Sequence, residues 1–190
     1  MPLTAAAAFA VLVVLVIVVF IIVATYNDVV ALGLRIDKAW ANIDVALKQR
    51  HDELPNLVAA VRDVMSFEAG VLEEVTRLRN AYDPARPVPE QAALSAETSQ
   101  AVRSLLAVVE NYPAVRSQGN VGSLQTEVER LEGVIADRRE LYNDQAYRFN
   151  TRIGQVPAIL VAGLFGWRAR DFFAATDVDR ARPDVSLGTI

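Results

Sequence analysis

Hydrophobic residues form an unbroken run near the N-terminus, and no charged side chain occurs before Asp28. The run, residues 5–24, has the length that crosses a bilayer, because about 20 apolar helical residues span a hydrocarbon core of about 30 Å. A cleaved signal peptide is the alternative, but it has a basic start and an apolar core of only about 7–15 residues. No Lys or Arg precedes this run. We therefore predict an uncleaved transmembrane anchor over residues 1–25.

A helical spacing of apolar residues follows the anchor. Side chains recur at steps of four and three, which is the pattern of one packed helix face. Arg50 occupies a position on this face where a core residue is expected. Pro55 then either begins a second helix or only kinks the first, in which case the two helices form one rod. The apolar members of the first face are Ile36, Trp40, Ile43, Leu47 and Leu54.

Two further stretches keep the same spacing. One runs from Leu57 to Leu78 and stops before the three prolines of residues 83–90. The next runs from about Glu90 to Glu110, where Asn-Tyr-Pro ends it. Both stretches are predicted to be amphipathic helices, because each carries a single apolar face.

A fourth helix is predicted in the second half of the chain. We expect a loop through Gly119 and Gly122, with Ser123 as the N-cap of a helix that ends near Gly154. No alternating strand pattern is present in the sequence. The sequence therefore predicts an all-α fold, in which the transmembrane helix continues into an up-and-down four-helix bundle with long helices, residues 26–154.

An apolar segment, residues 155–173, follows the predicted bundle and is too short and too rich in glycine to cross a bilayer. In one interpretation, Leu160, Leu164 and Phe165 fold back as a cap on the end of the bundle. In the other, it is a docking patch for the membrane or another subunit, since Trp167 is followed by Arg168 and Arg170, with two phenylalanines beyond, which is the aromatic and basic composition of an interfacial segment. Residues 174–190 are polar and expected to be disordered. The segment's main side chains are Leu160, Leu164, Phe165, Trp167, Phe172 and Phe173.

The composition argues against most chemistry. The chain has 190 residues, no cysteine, one histidine and a net charge of −4. Without cysteine there are no disulfides, thiolate metal sites or cysteine nucleophiles, and the acidic balance does not favour nucleic acid. His51 alone cannot supply the two Glu-x-x-His motifs of a di-iron bundle, and neither a P-loop nor a G-x-S-x-G motif is present. We therefore expect no enzymatic activity, metal, cofactor or small-molecule substrate.

The order and spacing of several short motifs resemble the LemA family of bacterial membrane proteins over most of residues 26–173. The matching stretches are Tyr26-Asn27, Ala39-Trp40, Ile43-Asp44, Leu47-Lys-Gln-Arg50, Pro55-Asn-Leu-Val58, Glu110-Asn-Tyr-Pro113, Leu124-Gln125, Glu132, Ile135, Arg139, Tyr142-Asn143, Asn150, Pro157, Ala162-Gly-Leu-Phe-Gly166 and Phe172-Phe173. The resemblance implies an anchor with its N-terminus outside, a helical bundle inside and no established enzymatic activity. A related member is associated with magnetosome membrane formation, which suggests membrane organisation as a role. Departures at His51, Glu53, Val121 and Arg138 are expected to alter local packing and to leave the fold unchanged.

Six polar residues within these stretches form a second candidate site. A buried guanidinium needs a carboxylate partner, so we expect Arg50 or Arg139 to pair with Glu132. A structural polar layer that fixes helix register is the first interpretation, and a socket for a partner is the alternative. The six residues are Asp44, Arg50, Asn56, Glu132, Arg139 and Asn143.

The charges that flank the anchor predict its orientation. Tyr26 lies at the expected headgroup level, where amphipathic rings are favoured. Basic residues follow the apolar run, starting with Arg35 and Lys38, whereas none precedes it. The positive-inside bias therefore predicts a single-pass protein of the bacterial cell membrane, with the N-terminus outside and the bundle in the cytoplasm.

By elimination, the sequence favours a scaffold at the membrane that self-associates or recruits partners and organises membrane. The alternative is a regulatory or adaptor subunit of a membrane protease, transporter or signalling complex. The expected partners are the lipid bilayer and either further copies of the chain or another membrane protein, and no nucleic acid is expected.

Overall fold

The computed structural model describes residues 2–62, 69–112 and 119–173. This part of the chain consists of five helices and contains no strand. The helices are α1 (Pro2–Arg62), α2 (Ala69–Asn80), α3 (Val88–Glu110), α4 (Gly119–Gly154) and α5 (Ala158–Phe165). The predicted all-α fold, with a long N-terminal helix that continues into a helical bundle, is confirmed.

The first third of α1 carries the apolar run. Its side chains are exposed almost throughout, from Thr4 to Ala24. Among the described helices, α1 alone is long and apolar enough to cross a membrane. A helix pairs its backbone polar groups internally, which is what a segment surrounded by lipid requires. These features indicate membrane anchoring.

Pro55 lies inside α1 and does not begin a new helix. The apolar face keeps its helical spacing across the proline, with Leu54 before it and Leu57, Val58 and Val61 after it, all buried. The burial of these four side chains offsets the backbone hydrogen bond that a proline removes from a helix. Of the two alternatives for Pro55, the continuous helix is therefore correct as far as Arg62, and residues 63–68 lie outside the described part.

The chain divides into two compact units. The anchor unit contains residues 2–39 and Asp144–Arg170, and the bundle unit contains residues 40–143 and 171–173 as far as they are described. The divisions fall inside α1 and α4, whereas the sequence placed a boundary after residue 25.

In the anchor unit, the part of α1 that follows the apolar run packs on the C-terminal part of α4. Val29 and Ile36 are buried on α1, and Phe149 is buried on α4. A Cβ atom added to Gly33 would lie 3.8 Å from the ring of Phe149, so the two helices approach closely at this point.

In the bundle unit, four helices bury side chains in one hydrophobic cluster. Because each helix has a single apolar face, this cluster is the arrangement that removes all four faces from water. The buried members are Leu54, Leu57, Val58 and Val61 of α1, Leu72, Val75 and Leu78 of α2, Ala101, Val102, Leu105 and Val109 of α3, and Val121 and Val128 of α4.

The ends of α3 and α4 agree with the sequence, but the start of α4 does not. We predicted a loop through Gly119 and Gly122 and an N-cap at Ser123, whereas α4 already begins at Gly119. Val121 explains the earlier start, because its side chain is 1% exposed in the core. Burying a valine is worth about 1.5–3 kcal/mol, which offsets the combined cost of about 2 kcal/mol for the two helical glycines Gly119 and Gly122. The predicted disordered tail, residues 174–190, lies outside the described residues.

Candidate functional site: a buried arginine cluster and an exposed apolar helix

Arg50 is the centre of a polar cluster inside the bundle unit. The apolar face of α1 turns its side chain inward, and the residue is only 4% exposed. Its Nη1 atom donates to Glu132 Oε1 of α4 at 2.8 Å and to Ser99 Oγ of α3 at 2.9 Å. Its Nη2 atom donates to Ser95 Oγ at 3.1 Å. The guanidinium therefore links three helices, and we call these four residues the Arg50 cluster.

The second oxygen of Glu132 completes the Arg50 cluster, since it accepts a hydrogen bond from Ser99 Oγ. Both carboxylate oxygens are thus engaged, one by a cation and one by a hydroxyl. The expected pairing of Glu132 with an arginine is made by Arg50, while Arg139 is exposed on α4. A buried cation that has both a counter-ion and further hydrogen bonds meets the condition for stable burial.

The contribution of α3 to this cluster was not predicted. The sequence indicated a single apolar face on this helix, whereas the structure also buries the polar residues Gln91, Ser95 and Thr98. Their steps of four and three were a readable signal, because polar residues at core spacing point to a buried network. Serine is common on surfaces, so this signal was weak at each single position.

Asp44 belongs to a separate contact near the C-terminus of α2. Its Oδ1 atom accepts a hydrogen bond from the Tyr82 hydroxyl at 2.9 Å. Burial, together with this bond to a carboxylate, raises the pKa of Tyr82 above its usual range. The centre of the His51 ring lies 5.1 Å from that of the Tyr82 ring, and its Nδ1 atom lies 3.2 Å from the Arg79 carbonyl oxygen. This histidine therefore contacts the end of a helix.

Asn143 holds the chain near its last described residue. Its side-chain amide donates to the Phe173 carbonyl at 3.2 Å, and its Oδ1 atom accepts from the Phe173 backbone N–H at 2.8 Å. Phe173 is 3% exposed, and its ring lies 6.0 Å from the Trp40 ring. Asn143 thus positions an aromatic side chain in the bundle unit.

The six predicted polar residues are therefore distributed over separate contacts. Arg50 and Glu132 lie together, Asp44 contacts Tyr82, and Asn143 contacts Phe173. Asn56 is exposed on α1, where its amide donates to Glu53 at 3.3 Å. A helix turns about 100° per residue, so residues 50 and 56 cannot share one inward face with 44.

An open cleft lies between α3 and α4 beside the Arg50 cluster. Its volume is about 370 Å³, within the range of ligand-sized clefts. Small side chains such as Ala96 and Ala136 leave the space, Phe173 lines it, and Arg103 and Arg139 supply positive charge. The cleft thus offers two guanidinium groups and an apolar wall. Across the described ranges, no three His, Cys, Asp or Glu side chains converge as metal ligands.

An aromatic cluster lies in the anchor unit, at the end of the apolar run. The Tyr26 ring lies 4.9 Å from the Phe165 ring and 6.1 Å from the Trp167 ring. Phe165 and Trp167 stack on each other at 5.1 Å. The left-handed backbone of Gly166, with a φ of 67°, ends α5 and returns Trp167 toward Phe165.

The capping interpretation of the apolar segment is wrong for two of its three residues. Leu160 is 77% exposed and Leu164 is 82% exposed, so neither is folded back into a core of the described chain. Phe165 is 38% exposed and contacts Tyr26. The steric reason is that Ala158 occupies the buried face of α5, and the two leucines lie on the opposite face. Phe172 is half-buried.

Comparisons with known proteins agree with this architecture. The LemA family model matches residues 39–187. The chain is also similar to Magnetosome protein MamQ 1 and Magnetosome protein MamQ 2 of Paramagnetospirillum magneticum (strain ATCC 700264 / AMB-1). Each is 34% identical over 73 residues, which is 38% of this chain. The chain covers 27% of the length of each of these relatives.

Proposed function

The chain belongs to the LemA family and is a membrane-associated helical protein, and from this premise we propose that it is a membrane-anchored scaffold. In this proposal, the bundle self-associates or recruits partners at the membrane surface and organises membrane. Both relatives are named as magnetosome proteins, and the family resemblance suggests the same kind of role.

The continuity of α1 is the observation that carries the proposal. One helix begins at Pro2, contains the whole exposed apolar run and contributes Val61 to the bundle core. Flexible tethers between domains are rich in glycine and serine, and no such linker separates the apolar run from the core residues of α1. In this proposal, the helical connection suits a protein that assembles with others at the membrane surface.

The polar cluster supports a non-catalytic role. Arg50 is buried, and its terminal nitrogens bind Ser95, Ser99 and Glu132. A catalytic acid, base or electrophile must reach its substrate, whereas these groups satisfy one another. We therefore propose that the cluster fixes the register of three helices.

We propose that the N-terminus is outside and the bundle is in the cytoplasm. Basic residues close to the anchor set this orientation, and in the anchor unit they include Arg35, Lys38, Arg152 and Arg168, all after the apolar run. The positive-inside bias favours the side that carries them.

The mass of the full-length protein tests the scaffold proposal. The chain is extracted directly into polymer-bounded native membrane discs, without a detergent step, and its mass is measured by mass photometry and by light scattering. A uniform assembly of many copies supports a self-associating scaffold. A monomer that carries no other protein would contradict it.

An adaptor role is the second candidate, and the cleft between α3 and α4 favours it. Arg103 and Arg139 line a cleft with an apolar wall, which suits an acidic segment of a partner protein. One copy bound to an unrelated membrane protein in the same discs would support this role. Arg139→Glu should then release the partner, whereas Arg148→Glu, also exposed on α4 but outside the cleft, should not.

A further inference from the structure

The short helix α5 has no polar side chain. Its eight residues, Ala158–Phe165, are all apolar, and no charge precedes them back to Arg152. Ile159, Leu160 and Leu164 are exposed on its outer face, and Val156 just before the helix is 74% exposed. A helix that faces water on one side carries polar residues on that side. The outer face of α5 is instead suited to an apolar environment.

The inner face of α5 already has its partners. Ala158 is fully buried, and the Phe165 ring packs at a tilt against the Tyr26 ring of α1. The exposure of the leucines is therefore not explained by a wrong rotation of α5 about its axis. Rotating α5 to bury them would remove both existing contacts.

The contact with Tyr26 places the end of α5 next to the end of the apolar run. Tyr26 follows the last residue of that run, Ala24, by two positions, which is about 3 Å along a helix. Tyr26 and Trp167 are the residue types that collect at the boundary between hydrocarbon and water. The exposed apolar surface of α5 thus adjoins the lipid-facing surface of α1.

Polar contacts hold the residues that follow α5 against α1 and α4. Asn150 donates to the Arg170 carbonyl at 2.9 Å and accepts from the Arg170 N–H at 2.8 Å. The Arg170 guanidinium lies 3.7 Å from Asp37 of α1. The residues after α5 are therefore held to α1 and α4 by polar contacts of Arg170, while the apolar face of α5 points outward.

We propose that α5 lies in the interface of the bilayer, beside the anchor, with Ile159, Leu160 and Leu164 among lipid acyl chains. The inference rests on the proposed anchoring of α1. At about 12 Å, the helix is too short to cross the membrane and inserts only to a shallow depth. Arg168, which is exposed beyond the apolar residues, lies at the level of the lipid phosphates.

A lipid surface fits this face better than a second copy of the chain does. A stable protein interface takes roughly 20–30 residues from each partner, whereas the outer face of α5 offers a few side chains. The adjoining surface of α1 is already apolar and exposed over residues 4–24. The bilayer can surround the outer face of α5 and the apolar surface of α1 at the same time.

The depth of residue 164 tests the proposal, and the absence of cysteine from the sequence makes the labelling specific. Leu164→Cys in the full-length chain carries a nitroxide label, and the protein is reconstituted in vesicles of phosphatidylcholine and phosphatidylglycerol. Collisions with oxygen, which concentrates in lipid, are compared with collisions with a water-soluble nickel chelate. Two matched variants are Val14→Cys in the apolar run and Ser104→Cys on the exposed side of α3.

We expect the label at residue 164 to favour oxygen, at a depth of about 5–10 Å below the phosphates, and the label at residue 104 to favour nickel. If residue 164 favours nickel while residue 14 favours oxygen, the inference is overturned and the anchor stands. If residue 14 also favours nickel, anchoring itself fails, and the inference fails with it. If residue 164 is shielded from both reagents, protein covers α5, which also overturns the inference.

Discussion

Arg50 is the residue on which the polar interior of the bundle depends. Removing one partner of a buried ion pair leaves the other without compensation, whereas replacing both by apolar side chains is often neutral. We predict that Arg50→Met lowers the free energy of unfolding by about 2–4 kcal/mol, because Glu132 loses its cation. We predict that Arg50→Met combined with Glu132→Leu recovers most of this loss. Urea unfolding of the full-length chain in mild detergent, followed by circular dichroism, measures both.

The exposed pair of Arg77 and Glu74 provides the matched control. These side chains approach to 2.7 Å but are about half exposed and screened by solvent, so Arg77→Met should lower the free energy of unfolding far less than Arg50→Met does. A cost for Arg50→Met as small as that of Arg77→Met would show that the cluster contributes little to stability. Additive effects in the double variant would show that the two groups do not act as a pair.

Tyr82 is expected to make the stability of the bundle depend on pH in the alkaline range. Its pKa in the folded state is raised, while in the unfolded chain it is about 10. The folded state therefore holds the proton more tightly, and the stability from Tyr82 is present below about pH 10 and is lost as pH rises further. We predict that the wild type loses more stability than Tyr82→Phe between about pH 8 and about pH 11.

Asp44 separates the causes of this pH dependence. Asp44→Asn keeps an acceptor oxygen for the Tyr82 hydroxyl but removes the charge, so its loss of stability with pH should lie between those of wild type and Tyr82→Phe. Unfolding measured at both pH values checks the order. Equal losses in wild type and Tyr82→Phe would exclude Tyr82 as the source.

At the scale of residues, the sequence indicated the cation and its counter-ion but not the whole cluster. Arg50 interrupts an apolar face at a core position, and this observation is enough to require a carboxylate. Ser95 and Ser99 gave no comparable signal, because a small hydroxyl side chain is tolerated in both buried and exposed positions. Which arginine pairs with Glu132 depends on how α1, α3 and α4 are packed, and periodicity alone does not specify it.

At the level of a single helix, Pro55 tests how much a proline inside α1 costs in stability. A proline inside a helix removes a backbone hydrogen bond, here the one to the carbonyl of His51 four residues earlier. We predict that Pro55→Ala raises the free energy of unfolding by about 1–2 kcal/mol, since the restored bond outweighs the lost contacts of the ring. Chemical unfolding of the full-length chain measures the change.

Pro89 is the control for this prediction, because it lies in the first turn of α3, where a proline removes no intrahelical bond. Pro89→Ala should lower the stability slightly, by less than about 1 kcal/mol, since the unfolded chain gains freedom. A loss of stability in Pro55→Ala would mean that α1 needs the proline at this position.

Helix boundaries were predictable where a backbone signal coincided with the end of an apolar face. The C-terminal ends of α3 and α4 satisfy this condition, at Glu110 and Gly154. The start of α4 was not predictable in this way. The local signals of Gly119 and Ser123 favour a later start, whereas the burial of Val121 in the core, which is a tertiary effect, favours an earlier one. For the same reason the sequence left Pro55 open, since only packing against α2 and α3 decides whether a helix continues through a proline.

The orientation in the membrane belongs to the whole molecule, since it depends on the charges at both ends of the anchor. Basic side chains occur only after the apolar run. We predict that Thr4→Cys, just before the apolar run, is labelled by a membrane-impermeant maleimide on spheroplasts, whereas Ser104→Cys is labelled only after the membrane is opened. The chain has no other cysteine, so each variant reports one site.

The pattern of labelling separates the alternatives, because each arrangement exposes a different end of the chain. Labelling of residue 104 alone on intact spheroplasts would reverse the orientation and leave the anchor in place. Labelling of neither residue would mean that the helix does not cross the membrane. The predicted pattern would place the Arg50 cluster and the α3–α4 cleft in the cytoplasm, where an adaptor partner would have to be sought. The same pattern would put α5 at the inner leaflet, because its contact with Tyr26 lies after the apolar run.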